Sequence, residues 1–466
     1  MIGSIALDAI AAKREALKEM ELKIWNTPEI AYLEVEAGKW TAEMLKNEGF
    51  DVEIGVGGVP TAIKATYGSG HPVIGLLGEY DALPGMSQKV QTEKEAVEAG
   101  CPGQGCGHNL LGVAHVGAAI GIKAEMIEKK LPGTIIYFGC PGEEQLTGKP
   151  FMARGGAFDG IDMCIAWHPS NGDRISIGTQ TALNTAKFHF KGRTAHAGGD
   201  PHNGRSALDA VELMNVGANY LREHVTSDVR IHYTITEGGT APNIVPDKAC
   251  VWYYVRALSR EAVEDTYARL VKIAKGAAMM TETEVEEEFL GGCYNTLNNK
   301  VLANLVKDTM HEIPQEPWTD EEIAFAKALN EQSPQYKAGC AAVNRPEGTQ
   351  LYEGPMEIET ANSYGSTDVG DVQHIVPGIM IRTATYNIGA PGHSWQITAC
   401  SGMSIGEKGM NRAAQVMAVS ALKVLNDTSI YEAAKAEFDQ EMAGKKYVCP
   451  IPAEVPVPSH CKTGRG

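Results

Sequence analysis

The chain has 466 residues, 43% hydrophobic and 21% charged, with ten cysteines and a formal charge of −17. That length is too great for one ordinary core and predicts two domains. The acidic balance argues against nucleic acid or an anionic membrane as partner, and no signal-type segment or run of eighteen apolar residues is present, so a cytoplasmic protein with reduced thiols is expected.

Ser4 can cap a helix whose apolar stripe is Ile10, Leu17, Met20 and Ile24, and Asn26-Thr27-Pro28-Glu29 breaks it. A second helix carries Trp40, Met44 and Leu45 and stops near Gly49. Residues 50–54 and 61–67 read as strands. Residues 73–77, 134–140 and 161–167 are short, nearly all-apolar strands of the kind buried in a parallel sheet. Each ends in polar residues: Glu79-Tyr80-Asp81, Glu143-Glu144 and His168-Pro169. In an open α/β sheet, that edge is where ligands bind. A helix is predicted over 109–128.

After about Gly178 the pattern changes. Residues 185–191, 230–236, 249–257 and 283–290 alternate as strands, with helices at 205–223 and 259–279 between them. This β-α-β-β-α-β order predicts a ferredoxin-like sandwich inserted into the first domain. Helices return at 298–312 and 319–330, residues 333–360 read as a long loop, and 378–383 is another apolar strand. Helices at 405–425 and near 431–442 precede an extended, proline-rich tail.

Cys106 and His108 share the glycine-flanked turn 105–112, where both side chains can enter one cavity. The pair alone also fits a buried cysteine beside a structural histidine. Glu144, His168 and His393 add ligand chemistry, each in a Gly/Pro-rich turn. Thiolate, carboxylate and imidazole together suit zinc, manganese or cobalt. Glu143 is placed to act as general base, or otherwise as a further ligand.

The runs GEYDALPG, GCGHNLLG, GCPGEE, AWHP, GRTAHAGGDPHNGRSALDA, GGTAPNIVPDKA, STDVGDV and PGHSWQ, with the tail's YVCPIP, span the chain. Together they resemble the amidohydrolase branch of the aminoacylase–carboxypeptidase G superfamily of metallopeptidases. The resemblance implies an α/β fold in which 1–183 and 297–446 form a discontinuous, mainly parallel-sheet catalytic domain of zinc-peptidase type. Residues 184–296 would form an inserted ferredoxin-like lid and dimerisation domain, and 447–466 a tail. It implies metal ligation by Cys106, His108, Glu144, His168 and His393, and a base at Glu143. Cys106 stands where many relatives carry a bridging Asp, and Glu79 where they carry a His, which leaves one or two zinc or manganese ions open.

Asp81 reads as orienting a ligand. Asp368 either caps a helix or serves the site. The resemblance puts substrate binding at Asn243 and Arg256. His202 and Arg205 flank a helix N-terminus, where they either touch substrate or only the surface. His196, in the insert, is expected to reach a dimer partner's active site and stabilise the oxyanion. His115, His189, His224, His232 and His374 read as packing or surface residues.

The implied activity is hydrolysis of an amide joining an acyl or aroyl group to an amino acid with a free carboxylate, p-aminobenzoyl-glutamate being the first substrate to test. Alternatives are a dipeptidase, another N-acyl-amino-acid hydrolase, or one component of a hetero-oligomer that mainly supports its partner. A homodimer through the insert is expected.

Overall fold

The computed structural model describes residues 2–354 and 356–458; the end of the tail, 459–466, lies outside the described residues. The strands are β1 (Asp51–Ile54), β2 (Ile63–Ser69), β3 (Val73–Gly78), β4 (Gly133–Gly139), β5 (Met163–Ser170), β6 (Arg174–Ser176), β7 (Ala182–Lys191), β8 (Arg230–Glu237), β9 (Lys248–Ala257), β10 (Glu284–Cys293), β11 (Ile358–Glu359) and β12 (Gly378–Ala384). They form two sheets.

The first sheet has the order β1-β2-β4-β3-β5-β12-β6-β11. Its centre, β4-β3-β5-β12, is parallel. These strands are almost wholly apolar because helices or loops cover both faces. Met163, Ile165, Trp167, Ile379 and Ile381 enter the core that holds the helix His108–Lys129. Cys164, Ala166 and Met380 face the opposite core.

The helix His108–Lys129 is the one described helix long and apolar enough to cross a membrane, and 83% of its apolar window is buried in the protein. It packs on Ser4–Ala12 and Ser404–Asn426. Gly112 makes this possible at the sheet edge, because a Cβ there would meet the carbonyl oxygen of Glu79 at 2.6 Å. The close approach brings the start of the helix against the end of β3.

The second sheet, β10-β7-β9-β8, is antiparallel throughout and carries the helices Ala207–Leu221 and Arg260–Thr281. This is the ferredoxin-like order, with a core of its own around Phe188, Phe190, Val251, Tyr253 and Leu270. β8 is an edge strand, with Tyr233 and Ile235 exposed.

Some expectations differ from the structure. Ser4 does not cap the first helix. Gly3 holds the cap position, and its N–H donates to Glu125 Oε1 at 2.8 Å, so a carboxylate from the core helix replaces the local cap. The apolar stripe 10–24 spans two helices, Ser4–Ala12 and Arg14–Asn26, broken at Lys13. The segment 333–360 holds a helix, Tyr336–Ala342, and β11, which pairs with the unforeseen β6. Elements of two to seven residues are too short for periodicity to register. The tail packs on the body: Arg154 donates to the carbonyls of Pro452 and Val455, and Ile451 is buried.

Candidate metal centre

The ends of β3, β4 and β5 and the start of the helix His108–Lys129 converge on one polar cluster. Gly107, at φ 79°, turns the chain into that helix through the left-handed region that glycine tolerates. This sets Cys106 and His108 on one cavity. Cys106 Sγ lies 3.3 Å from His168 Nε2, at the end of β5.

Both rings, His108 buried and His168 half-buried, are oriented by their far nitrogens. His168 Nδ1 donates to the carbonyl of Pro169 at 2.7 Å, and His108 Nδ1 donates to Asp81 Oδ1 at 3.0 Å. Each therefore turns its Nε2 to the cluster, where it offers a lone pair once that nitrogen is free of its proton, the arrangement a metal ligand needs. Asp81 Oδ2 accepts from the Glu144 N–H at 2.9 Å, so one carboxylate positions two of the cluster's residues.

His108 Nε2 lies 3.5 Å from Glu79 Oε2, 3.8 Å from Glu144 Oε1 and 3.9 Å from Glu143 Oε2. His393 Nε2, on a residue with φ 53°, lies 3.5 Å from Glu144 Oε2. His108 Nε2, Glu79 Oε2 and Glu144 Oε1 are buried and have no hydrogen-bond partner. Leaving such groups unpaired is costly, and a cation among them removes that cost. Three overlapping sets have donor atoms close enough to hold an ion: Cys106-His108-His168, Cys106-Glu144-His393 and Glu79-His108-Glu143. The residues thus fit a divalent metal.

The electrostatics agree. Burial pushes the Glu144 carboxyl up to about 7, and burial, then Glu79 and Asp368, push Glu143 well up. Burial disfavours charge on His108, but Cys106 and Asp81 outweigh it and hold the ring well above its ordinary value. Burial, then His108, keeps His168 well below its ordinary value. The cluster is short of positive charge.

Behind it lies a feature that no sequence motif marks. Lys149 is wholly buried, its Nζ 2.5 Å from Glu79 Oε1 and 2.6 Å from Asp368 Oδ1, while its N–H donates to Asp368 Oδ2 at 2.9 Å. Asp368 stands at the cap position of the helix Val369–Gln373 but makes no side-chain cap bond; its carboxylate is spent on Lys149. Nothing around Lys149 in the sequence sets it apart from a surface lysine.

A cavity of about 390 Å³ opens beside Glu144, lined by Leu83 and Pro84 on one side and Tyr233, Trp252 and Tyr254 on the other. His232, read as packing or surface, also lines it. On β9, Arg256 Nη1 donates to Ser366 Oγ at 3.1 Å, and its buried Nε has no partner.

The insert's other expected residues stand apart from the cluster's contacts. His196 is exposed, and its Nδ1 accepts from the N–H groups of Gly198 and Gly199 at 3.1 and 3.0 Å, leaving the ring proton on Nε2. Asn243 is exposed beside it, its carbonyl accepting from Ala197 at 3.0 Å. Arg205 Nε donates to Glu282 at 2.9 Å, and exposed His202 lies 3.4 Å from Asp200.

Residues 179–279 match the family model described as a peptidase dimerisation domain. The chain is 39% identical to one of the two kinds of chain named as p-aminobenzoyl-glutamate hydrolase in Escherichia coli (strain K12), over 96% of this chain and 97% of that one. It is 27% identical to the Xaa-Arg dipeptidase of Mus musculus, over 93% and 91% of the two chains. Its fold is similar to a dinuclear metal-binding M20-family peptidase from Bacillus subtilis, with TM-score 0.58 and 18% identity over 89% of this chain and 99% of that one.

Proposed function

The chain belongs to the M20 family of metal-dependent amidohydrolases, and on that premise we propose that it hydrolyses N-aroyl amino acids to the aromatic acid and the free amino acid, with p-aminobenzoyl-glutamate as first substrate. The observation that carries this reading is the set of buried, unpartnered donor atoms on His108, Glu79 and Glu144 beside an aromatic-lined cavity.

Cys106, His108, Glu144, His168 and His393 would hold one or two zinc or manganese ions. Such an ion, when bound, polarises the scissile carbonyl and lowers the pKa of the attacking water. Glu143 receives the water's proton and returns it to the departing nitrogen. Asp81 fixes the His108 ring and the Glu144 backbone together, so both keep their aim. The aroyl ring lies between Leu83 and Trp252, and Arg256 receives the α-carboxylate through its unpartnered Nε edge.

His196 and Asn243 act on the site of a second copy. Support comes from the matched dimerisation domain, the exposed β8 edge, and exposed Leu213, Val216 and Tyr220 on the helix Ala207–Leu221. Nε2–H of His196 is then the oxyanion's hydrogen-bond donor. The ties of His202 and Arg205 to Asp200 and Glu282 favour holding the 196–205 turn over touching substrate. Free thiols at all nine described cysteines support a reducing cytoplasm.

The test is the purified chain alone, supplied with Mn²⁺ or Zn²⁺ and a panel of aroyl- and acyl-amino acids, with amine release measured. Turnover of aroyl-glutamate is the expected result. Bound metal without turnover of any substrate would favour a chain that mainly supports a partner instead.

A further inference from the structure

A second, polar cavity of about 230 Å³ adjoins the metal centre, lined by Arg174, Arg382, Ser170, Thr179 and Gln180, with Glu359 at its wall. Arg382 lies on β12 in register with His168 on β5. Cross-strand partners share a face, so the guanidinium stands on the same side of the sheet as the metal-centre imidazole. Its charge is near enough to act on His168, behind burial and His108.

The half-buried Arg382 side chain has no hydrogen bond or ion pair among the described residues. Structural arginines in this protein behave differently. Arg412 donates to the carbonyls of Ile313 and Met310 and pairs with Asp173. Arg260 donates to the carbonyls of Leu183 and Cys293 and to Asn184. A guanidinium that lines a cavity and bonds none of the acceptors around it is free to take one from outside. Arg174 reinforces it: its bonds to Glu359 and Asn171 are long, both 3.4 Å, so the cavity wall carries two cations against one carboxylate.

The cavity is also next to the α-carboxylate position assigned above. Gln180 is followed by Thr181, whose hydroxyl lies 2.9 Å from Ser366 Oγ, and Ser366 accepts from Arg256. Two arginines on different sheets thus serve the amino-acid side: Arg256, over the Tyr254 ring at the border of the aromatic cavity, and Arg382, beside His168 on the neighbouring strand. We propose that Arg382, with Arg174, forms an anion subsite for the side-chain carboxylate of an acidic amino acid, selecting glutamate-type over neutral leaving groups. This inference rests on the amidohydrolase reading and names its leaving-group class.

The test compares N-aroyl-glutamate with N-aroyl-glutamine, which lacks the side-chain charge, and N-aroyl-isoglutamine, which lacks the α-carboxylate. Wild type should favour glutamate over glutamine in kcat/KM by about tenfold to a hundredfold, the range for a charge-assisted pair. In Arg382→Gln that ratio should collapse toward one, while discrimination against isoglutamine persists; Arg382→Lys should recover part of it. Bound metal, by elemental analysis, should stay at the wild-type level. Equal losses on all three substrates, a lost metal, or an intact glutamate preference would overturn the subsite. Arg174→Gln, farther from the metal centre, should weaken the same ratio and keeps the test open if Arg382→Gln fails to fold. Calorimetric binding of free glutamate against free glutamine separates the two readings. If wild type hydrolyses nothing but binds glutamate in an Arg382-dependent way, the activity reading fails and the subsite stands; if it turns over aroyl-glutamate with no such dependence, the reverse holds.

Discussion

In a Lys149→Met variant the side chain's length and apolar stem are kept, but the ammonium between Glu79 and Asp368 is gone. Both carboxylates are buried, and Glu143 lies close by, so the loss leaves negative charge with no protein cation to answer it. Breaking a buried pair on one side costs about 3–5 kcal/mol. With about 2.1 cal/mol/K of unfolding entropy per residue over 466 residues, roughly 1 kcal/mol/K in all, the melting temperature should fall by roughly 3–5 °C. The deficit should also depend on pH. Burial, with Glu79 adding to it against Lys149, already pushes Asp368 up to about 6 in the folded protein. A carboxyl raised on folding gives stability that is present at low pH and lost as pH rises through its folded value. Removing Lys149 raises Asp368 further, so the gap to wild type should be largest at pH 8 and shrink by pH 5, where the folded variant takes up protons. Scanning calorimetry at one scan rate, on metal-free protein at both pH values, reads this directly. A deficit under about 1 °C, or one of equal size at pH 5 and pH 8, would refute the charge argument.

Cys106→Ala and His108→Ala should lose metal by elemental analysis, whereas Glu143→Gln should keep metal and fold and lose turnover, because removing the base leaves the donor set whole. Arg256→Ala should raise KM for aroyl-amino acids about tenfold or more, and much less for the α-amides; equal effects would take Arg256 away from the α-carboxylate. Mixing inactive Glu143→Gln with inactive His196→Ala under verified exchange of protomers should restore roughly a quarter of wild-type activity, since half the dimers are mixed and each has one intact site of two. No recovery would mean that His196 does not act across a dimer.

The strands that position the site were legible because they are buried on both faces. Residues 73–77 and 134–140 differ from β3 and β4 by a residue or so, and the edge they share with β5 is where the polar residues gather. Cys106 and His108 were legible through spacing, Glu143 and Glu144 through adjacency to a strand end. Long-range pairings were not. Lys149 meets Asp368 across 219 residues and Glu79 across 70, and no periodicity records such a contact. Arg382 reads as one more residue of an apolar strand; only its register opposite His168 shows what it faces. Ser4 failed as a cap for the same reason, its role being filled by Glu125 from another helix.

The charge arrangement explains why Lys149 stands behind the cluster and not in it. Glu34, Glu79, Asp81, Glu143 and Asp368 are all buried around the floor of the cleft. Burial, then Asp81, pushes Glu34 up to about 8, and the Gly142 N–H donates to it at 2.8 Å, so it can hold the 142–144 turn in neutral form. Lys149 answers Glu79 Oε1 and Asp368 but leaves Glu79 Oε2 turned to His108 without a partner. A second lysine aimed into the cluster would complete the neutralisation and fill the cavity. A divalent cation supplies twice the charge of a lysine and leaves room for water and substrate, which is the arrangement an amidohydrolase requires.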